Sequence, residues 1–246
     1  MRADRTLLTR TDAIAAHHHF SINASERQSM MRLYHHPYSD CSRRAVMTAL
    51  HLEVPVELVL VDLQKGEQRQ PHFLKLNPNH RVPVLEDDGF VLWESHAIMQ
   101  YLADKTPGQT LYPTEIRARA DVNRWLFWCG GHLASAVGIL NREHAIKRLI
   151  GLGGPDPAEV KRGEDLVREF VGVLDAHLAG RDWMCGSALS LADFAIVTPL
   201  TSLLAATAPE KLPIGPFANV QRWLARMQTL DAWKRTAVTL ANPNGS

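Results

Sequence analysis

The chain has 246 residues, of which 46% are hydrophobic, so it is long and apolar enough to build one large core or two modest ones. Its 27 Lys and Arg against 26 Asp and Glu leave a formal charge of +1, and no strong field is expected to attract nucleic acid or a membrane. The 3 cysteines lack metal-ligand spacing, which argues against a zinc site or disulfide framework and favours a reducing cytoplasm. No apolar run approaches the roughly 18 residues of a membrane-spanning helix.

The N-terminal segment, residues 1–29, is polar and has no continuous apolar run of the kind found in a secretory signal. We expect a disordered leader here, with Met30 or Met31 as an alternative start. The first folded element is then expected near residue 32.

The next segments alternate between strand and helix patterns. Residues 32–35 predict a short strand that ends before Pro37, and residues 42–51 place apolar side chains at helical spacing after a polar start. Residues 56–61 are almost continuously apolar, as expected of a strand that is covered on both faces. Together these segments predict a βαβ unit.

The stretch at residues 77–98 reads NPNHRVPVLEDDGFVLWESHAI, and we expect it to organise the rest of the chain. Val82-Pro83 suits a corner between loop and strand, because proline cannot donate to a sheet, and such corners hold cis prolines in some proteins. Residues 87–89 predict a tight turn between two strands, and Ser95 opens a helix whose first amides lack internal partners. The stretch predicts a cradle for an extended peptide and a carboxylate.

The second half of the chain carries helical patterns only. Residues 106–108 mark a linker. Residues 115–140 and 160–178 place apolar side chains at steps of three and four, which indicates helices. Ser190 and Asp193 form a capping-box pattern before another apolar run, and we interpret Asp193 as structural.

Four motifs in this order resemble the glutathione transferase family, over about residues 31–238. They are YHHPYSDCSRRAV after the first strand, the valine–proline corner, WESHAIMQYLAD and GSALSLADFAI. The resemblance, to bacterial theta-like and zeta-like members in particular, implies an α+β fold. Its parts would be a thioredoxin-like domain with a βαβ-ββα mixed sheet at residues 30–105, a linker at 106–113 and an all-α domain at 114–240.

The family resemblance implies a transferase in which the glutathione sulfur attacks an electrophile, with glutathione as co-substrate and no metal. A free thiol has a pKa of about 8.5. A charge-assisted hydrogen bond contributes about 1.5–3 kcal/mol and a helix N-terminus about 0.3–1 kcal/mol, which together lower that pKa by roughly 1–3 units. A hydroxyl at the start of the first helix is therefore sufficient in principle.

Serine-using classes place this hydroxyl where Ser39 stands, so the resemblance makes Ser39 the expected catalytic residue. Ser42 and Tyr38 are alternatives, and Ser39 or Ser42 could instead be a plain helix cap. Cys41 offers a different chemistry, a mixed disulfide with glutathione as in omega-like thiol transferases. A lone cysteine beside a helix start is more often a small, half-buried residue.

The same resemblance assigns contacts to glutathione. Val82 would pair its backbone with the cysteinyl unit, while Glu94 takes the γ-glutamyl ammonium and Ser95 the adjacent carboxylate. Arg81 could clamp the glycyl carboxylate, with a solvated surface charge as the plain alternative. Gln68 stands where theta-like members often carry histidine.

The second substrate is expected to be a small hydrophobic electrophile, and the protein a cytoplasmic homodimer. One alternative is a zeta-like maleyl isomerase, which SDCSRR favours, although Asp40 and Glu94 depart from that class. Another is a non-catalytic interaction module with the same fold. The presence of Ser39, Arg81, Glu94 and Ser95 together disfavours the module.

Overall fold

The computed structural model describes residues 30–206 and 215–237. The expected leader at 1–29 and the last residues of the predicted helical domain, 238–240, lie outside the described part. The elements of the first half are β1 (Met31–His35), α1 (Asp40–His51), β2 (Val56–Leu60), a 3₁₀ turn (Glu67–Arg69), α2 (Pro71–Leu76), β3 (Val84–Asp87), β4 (Phe90–Trp93) and α3 (Ser95–Asp104).

The four strands form one mixed sheet in the order β2-β1-β3-β4. β1 runs parallel to β2, whereas β3 pairs antiparallel with both β1 and β4. Asp88 and Gly89 have φ values of 47° and 81°, so the β3–β4 turn is the tight turn predicted from the sequence. The predicted βαβ-ββα order is confirmed, with one helix that the sequence did not predict, α2, between the two units. Helix α1 begins at Asp40 instead of near residue 42.

The prediction that the β2 segment is covered on both faces was wrong. β2 lies at the edge of the sheet and pairs only with β1, so part of it faces solvent, and Leu58 and Leu60 are 45% and 58% exposed. The strand that is enclosed is β1, whose Leu33 is fully buried. An apolar, β-branched run predicts that a segment forms a strand, but the strands and helices packed beside it decide which of its faces are covered.

Helices cover both faces of the sheet. On one face, α1 and α3 pack on β1 and β3 through a cluster that includes Leu33, Ala45, Leu85, Ile98 and Leu102. On the other face, α2 contributes a single buried ring, Phe73, which packs with Val61 and Val84.

The second half is helical throughout its described residues, which confirms the predicted combination of a mixed-sheet domain and a helical domain. Its elements are α4 (Ile116–Trp128), a π-helical turn (Cys129–Leu133), α5 (Ala134–Asn141), a second π-helical turn (Arg142–Ile146), α6 (Lys147–Leu149), α7 (Pro157–His177), α8 (Leu191–Ala206), α9 (Ala218–Met227) and α10 (Asp231–Arg235). No described helix is long and apolar enough to cross a membrane.

Asp193 holds the start of α8 in place. Its Oδ2 accepts hydrogen bonds from the N–H and the hydroxyl of Ser190 at 2.9 and 2.8 Å. Its Oδ1 accepts from the Met184 N–H at 2.9 Å and from the Trp223 indole N–H at 2.8 Å. The carboxylate is fully buried and receives donors from three separate segments, so its role is structural, as the capping-box pattern indicates.

Pro199 lies inside α8 and has no N–H to donate to the carbonyl of Ala195, one turn earlier. Two side chains use that carbonyl instead. The Cys129 thiol, from the first π-helical turn, donates to it at 3.3 Å, and the Thr198 hydroxyl donates to it at 3.3 Å. The proline thereby turns a backbone group of α8 into a contact point for the neighbouring helix.

The two halves of the chain share one core and are also joined by Arg43. Among the buried side chains of the helical core are Met47 from α1 and Met99 from α3. Arg43 donates to the hydroxyls of Thr201 and Thr236 at 3.2 and 3.3 Å, and its guanidinium lies 4.0 Å from the centre of a tryptophan ring of α10. α1 is therefore packed between the sheet and the helical domain.

Replacing Asp193 with alanine is expected to reduce the free energy of unfolding by about 3 kcal/mol or more, because the substitution leaves several buried donors unpaired. Denaturant unfolding followed by circular dichroism measures this change. Asp165→Ala is the matched control, since it removes an exposed ion pair with Lys161 and should change stability by less than about 1 kcal/mol. Equal losses in the two variants would contradict the structural role of Asp193.

Candidate active site

One row of paired residues defines an end of the sheet: Tyr34 of β1 pairs with Val84 of β3, which in turn pairs with Trp93 of β4. β1 and β4 end at this end of the sheet, and β3 begins there. Three connecting segments therefore meet at the same end: the one after β1, the one before β3 and the one after β4. They carry four of the predicted site residues, Ser39 after β1, Val82 before β3, and Glu94 and Ser95 after β4. The strand register thus brings together residues that are more than 40 positions apart in sequence.

The remaining two predicted residues, Gln68 and Arg81, lie on connections to the same end. His35 pairs with Leu60, so the segment after β2, including the 3₁₀ turn that holds Gln68, also begins there. The Gln68 amide donates to the Leu63 carbonyl at 3.4 Å, and its buried oxygen has no hydrogen-bond partner among the described residues. The Arg81 side chain is exposed, and its carbonyl accepts a hydrogen bond from Asn77 at 2.8 Å.

Val82 lies just before the first paired residue of β3, and the Val82–Pro83 peptide bond is cis. The corner predicted from the sequence is therefore present. The buried Asn77 also shapes the preceding loop, because its side-chain oxygen accepts from the Asn79 N–H at 3.0 Å.

Ser39 is the N-cap of α1. Its backbone is extended, with φ −86° and ψ 116°, and its hydroxyl oxygen accepts a hydrogen bond from the Ser42 N–H at 3.1 Å. A hydroxyl that accepts one bond still has its own hydrogen to donate. Ser39 is half-buried at the site end of the sheet, so it can be a helix cap and also donate to a ligand.

The two alternative hydroxyls differ sharply in exposure. Ser42 is fully buried, and its oxygen accepts a hydrogen bond from the His36 N–H at 3.2 Å, so a ligand could not reach it without a rearrangement of the turn. Tyr38 is 58% exposed, and its ring centre lies 5.5 Å from that of His36.

Cys41 lies in the first turn of α1 next to α3. Its backbone N–H donates to Oδ1 of Asp40 at 2.7 Å, and the Ser95 side chain at the start of α3 is close enough to affect the thiol pKa. Burial raises the pKa of the Cys41 thiol, and the positive charge of Arg44 acts in the opposite direction without overcoming that effect. A raised pKa reduces the thiolate fraction on which cysteine reactivity depends.

Glu94 and Ser95 form the entrance to α3. Glu94 is exposed and adopts φ 72° and ψ 110°, a positive φ that is uncommon for a residue with a side chain. Ser95 is the buried first residue of α3, and the amides of this first turn have no partner within the helix. The N-terminus of α3 thus offers donors and a positive partial charge to an anion, with a carboxylate beside it.

The sequence reasoning did not identify a buried cluster behind these two helix starts, centred on Arg44. Arg44 is 1% exposed; its Nη1 lies 2.5 Å from Nε2 of His96, and its Nε donates to the Thr198 hydroxyl at 3.1 Å. Burial, together with the charge of Arg44, lowers the pKa of His96 to about 3, so this imidazole is neutral and accepts from the guanidinium. The sequence contains one indication of this cluster: Arg44 and Thr48 are four residues apart and therefore lie on the same face of α1, which is buried.

The described residues also line two cavities of about 160 and 270 Å³ along the linker, one beside Cys185 and one between His51 and Leu111. Both are smaller than the ~300 Å³ at the lower end of ligand pockets, and neither is lined by a predicted site residue. Within residues 30–206 and 215–237, no group of three or more His, Cys, Asp or Glu side chains could hold a metal ion.

Two family models match the chain. One is described as "Glutathione S-transferase, N-terminal domain" and matches residues 29–104; the other is described as "Glutathione S-transferase, C-terminal domain" and matches residues 157–226. A glutathione S-transferase of Drosophila melanogaster is 33% identical over 194 residues, which is 78% of this chain and 81% of that relative. One from Arabidopsis thaliana is 32% identical over 209 residues, 84% of this chain and 96% of that relative.

Solved structures agree with these relatives. A glutathione transferase family member from Pseudomonas fluorescens, solved with two glutathione bound, superposes with a TM-score of 0.78 at 27% identity and covers 85% of this chain and 92% of its own. An epsilon-class glutathione S-transferase from the housefly, Musca domestica, gives a TM-score of 0.74 at 31% identity, over 84% of this chain and 91% of its own.

The fold and the paired helix starts define a thioredoxin-like transferase with a helical second domain. The chain belongs to the glutathione S-transferase family, which confirms the fold and the class of enzyme predicted from the sequence. The individual site residues and the theta-like or zeta-like class stay predictions.

Proposed function

We propose that this chain is a cytoplasmic glutathione transferase that joins the glutathione thiolate to a small hydrophobic electrophile. The observation that supports this most strongly is the convergence of two helix starts, those of α1 and α3, at one end of the sheet. One helix start suits the thiolate and the other the γ-glutamyl carboxylate, since both sites need amide donors for an anion. The free state of all three cysteines is consistent with a reducing compartment.

Ser39 is the residue we assign to thiol activation. Its hydroxyl accepts from the Ser42 N–H, and this accepted bond makes the hydroxyl a better donor to the sulfur. The bond from Ser39 and the partial charge of the α1 N-terminus both stabilise the thiolate over the thiol. No general base is needed, because the proton leaves to solvent before the attack on the electrophile.

The peptide part of glutathione is assigned to the other connections at this end. The Val82 backbone pairs with the cysteinyl unit, the Glu94 carboxylate binds the γ-glutamyl ammonium, and the first amides of α3 with Ser95 bind the adjacent carboxylate. Arg81 is exposed and has a cationic group available for the glycyl carboxylate, and Gln68 contributes its amide beside it.

The properties of Cys41 favour this mechanism over thiol transfer. Its thiol pKa is raised by burial, and a thiol transferase needs the reverse, an accessible cysteine with a lowered pKa. The exposed ring of Tyr38 next to Ser39 supports an apolar electrophile, because it places an aromatic face beside the position assigned to the sulfur.

We also propose that two copies form a homodimer. The described surface has exposed aromatic side chains on the edge strand β4, Phe90 and Trp93, and on α4, where Phe127 is 77% exposed. Aromatic side chains are enriched at interfaces between proteins, and contact with a second copy would remove such rings from water.

Ser39→Ala and Ser39→Gly are expected to raise the pKa of enzyme-bound glutathione by about 1–2 units and to reduce kcat/KM about 10–100-fold, since the thiolate loses a charge-assisted hydrogen bond. Thiolate absorbance between pH 5 and 9 measures the pKa. Ser39→Thr keeps the hydroxyl and should retain most activity, and the glycine variant keeps helix capping nearly intact. Cys41→Ala should titrate like the parent. A reducible adduct of glutathione at Cys41 would instead identify a thiol transferase.

Glu94→Gln is expected to weaken glutathione binding about 10–100-fold, because an ammonium loses its charged partner. Isothermal titration calorimetry measures the affinity. Asp88→Asn is the matched control: Asp88 is also an exposed acid at positive φ, but it lies in the β3–β4 turn at the opposite end of both strands, so binding should be unchanged. Similar losses in the two variants would count against a direct contact with Glu94.

Sedimentation equilibrium at micromolar concentration is expected to give about twice the chain mass of 27.5 kDa. Phe127→Ser should shift this equilibrium toward the monomer if the ring is buried between copies, because the interface loses apolar area. Leu58→Ser on the other sheet edge is the control. If the parent protein is a monomer, the dimer proposal is overturned, and the proposal for the glutathione site is unaffected.

A further inference from the structure

Arg44 carries a buried positive charge that is only loosely paired with a carboxylate. Arginine stays protonated in proteins. Its side-chain hydrogen-bond partners are neutral, namely the Thr198 hydroxyl and the His96 imidazole, and the thiol of Cys129 lies nearby. The one carboxylate paired with it, that of Asp40, is 3.9 Å away from Nη2, which is too far for a hydrogen bond, and Nη2 itself is buried without a hydrogen-bond partner among the described residues.

A buried charge of this kind is costly, so proteins ordinarily pair it with a close, hydrogen-bonded counter-charge. At this site His96 reduces the cost of burial by accepting a hydrogen bond but adds no negative charge. The side chain of Asp40 is 26% exposed and therefore partly screened by water. Asp40 therefore offsets part of the charge of Arg44, and at the Cys41 thiol the effect of Arg44 is the larger of the two.

The position of Arg44 directs that field toward the proposed sulfur site. Ser39 and Arg44 are five residues apart, about 7.5 Å along the helix axis. Side chains on a helix lean toward its N-terminus, and the Arg44–Asp40 contact shows that this one does so. A thiol already present in the first turn, that of Cys41, has its pKa pulled downward by Arg44, so a sulfur in this turn is within range of the charge.

We propose that Arg44 is a positioning residue of the proposed active site, whose buried guanidinium holds the first turns of α1 and α3 together and stabilises the glutathione thiolate at Ser39. This inference rests on the proposed glutathione transferase function. In this proposal three groups stabilise the thiolate: the Ser39 hydroxyl, the N-terminus of α1, and the full positive charge of Arg44, which does not contact the substrate.

The size of the effect follows from Coulomb's law. A unit charge roughly 8 Å from the sulfur, at an effective dielectric constant of about 20, shifts a thiol pKa by about 1 to 1.5 units. A charge that is buried is also screened little by salt, so the shift should persist at high ionic strength.

The test compares the pKa of enzyme-bound glutathione, followed by thiolate absorbance between pH 5 and 9, in variants that change charge in opposite directions. Arg44→Met removes the positive charge and is expected to raise the pKa by about 1 unit. Asp40→Asn removes the opposing carboxylate, keeps the side-chain oxygen that accepts from the Cys41 N–H, and is expected to lower the pKa. A purely structural role for Arg44 predicts instead that Arg44→Lys, which loses the planar fork but keeps the charge, raises the pKa as Arg44→Met does.

Two controls separate charge from packing. Arg44→Lys keeps the charge and should restore a pKa close to that of the parent, although it loses the planar fork. Thr198→Val removes a hydrogen bond to Arg44 without changing any charge, and the pKa should be unaffected. Loss of binding in every variant, including Thr198→Val, would indicate a packing role and overturn the proposal.

The protein's own thiols and the histidines at the end of β1 do not obscure the measurement. Burial raises the pKa of Cys129 to about 11 and that of Cys185 to about 12, and it also raises the pKa of Cys41. Burial lowers the pKa of His35 and of His36, so both are neutral at pH 7. The absorbance change of the ligand-free protein over the same pH range is subtracted, which removes any remaining contribution of the protein's own groups.

The outcomes distinguish this inference from the function on which it rests. If the parent protein binds no glutathione by calorimetry, the proposed function and the role of Arg44 both fail. If the parent binds glutathione and lowers its pKa, but Arg44→Met leaves that pKa unchanged or Arg44→Lys raises it as much as Arg44→Met does, only the role of Arg44 is overturned. Should Arg44→Met fail to fold, Arg44→Lys and Thr198→Val decide: a pKa close to that of the parent in both supports a role of the charge, and a raised pKa in both overturns it.

Discussion

The arrangement of the site depends on one constraint: the start of α1 and the start of α3 face the same end of a small sheet. β1 and β4 both run toward this end and each is followed by a helix, while β3, antiparallel between them, begins there. Unpaired amides of two helices and the backbone before β3 are therefore brought together by strand direction alone. Few side chains are then needed to bind a peptide that has a carboxylate at each end.

Charge is distributed over this end in layers. At the surface lie the partial charges of the helix amides and the exposed carboxylate of Glu94; behind them lies the full charge of Arg44, which is hydrogen-bonded to neutral partners and loosely paired with Asp40. A surface cation at the same distance would be screened by salt and would attract any anion. A buried one acts on the group that reaches the first turn of α1, which suits selective stabilisation of a bound thiolate.

Most of the fold could be predicted because its signals are local. The alternation of strand and helix patterns, the Asp88-Gly89 turn, the proline corner and the Asp193 cap each depend on a few neighbouring residues. The exposure of β2 could not, since it depends on which strands pair. The Arg44 cluster joins residues 44, 96, 129 and 198 from four elements, and no local pattern relates them.

Several contacts that fix the helical domain come from the last elements in the described chain. Trp223 of α9 completes the donors around Asp193, and Thr236, just after α10, binds Arg43 of α1. During translation these residues are made after the sheet and α1 through α8, so the earlier elements are complete before these contacts can form. Until residue 236 has been added, Asp193 and Arg43 lack partners that they have in the folded protein, and incompletely folded chains expose the apolar surface that chaperones bind.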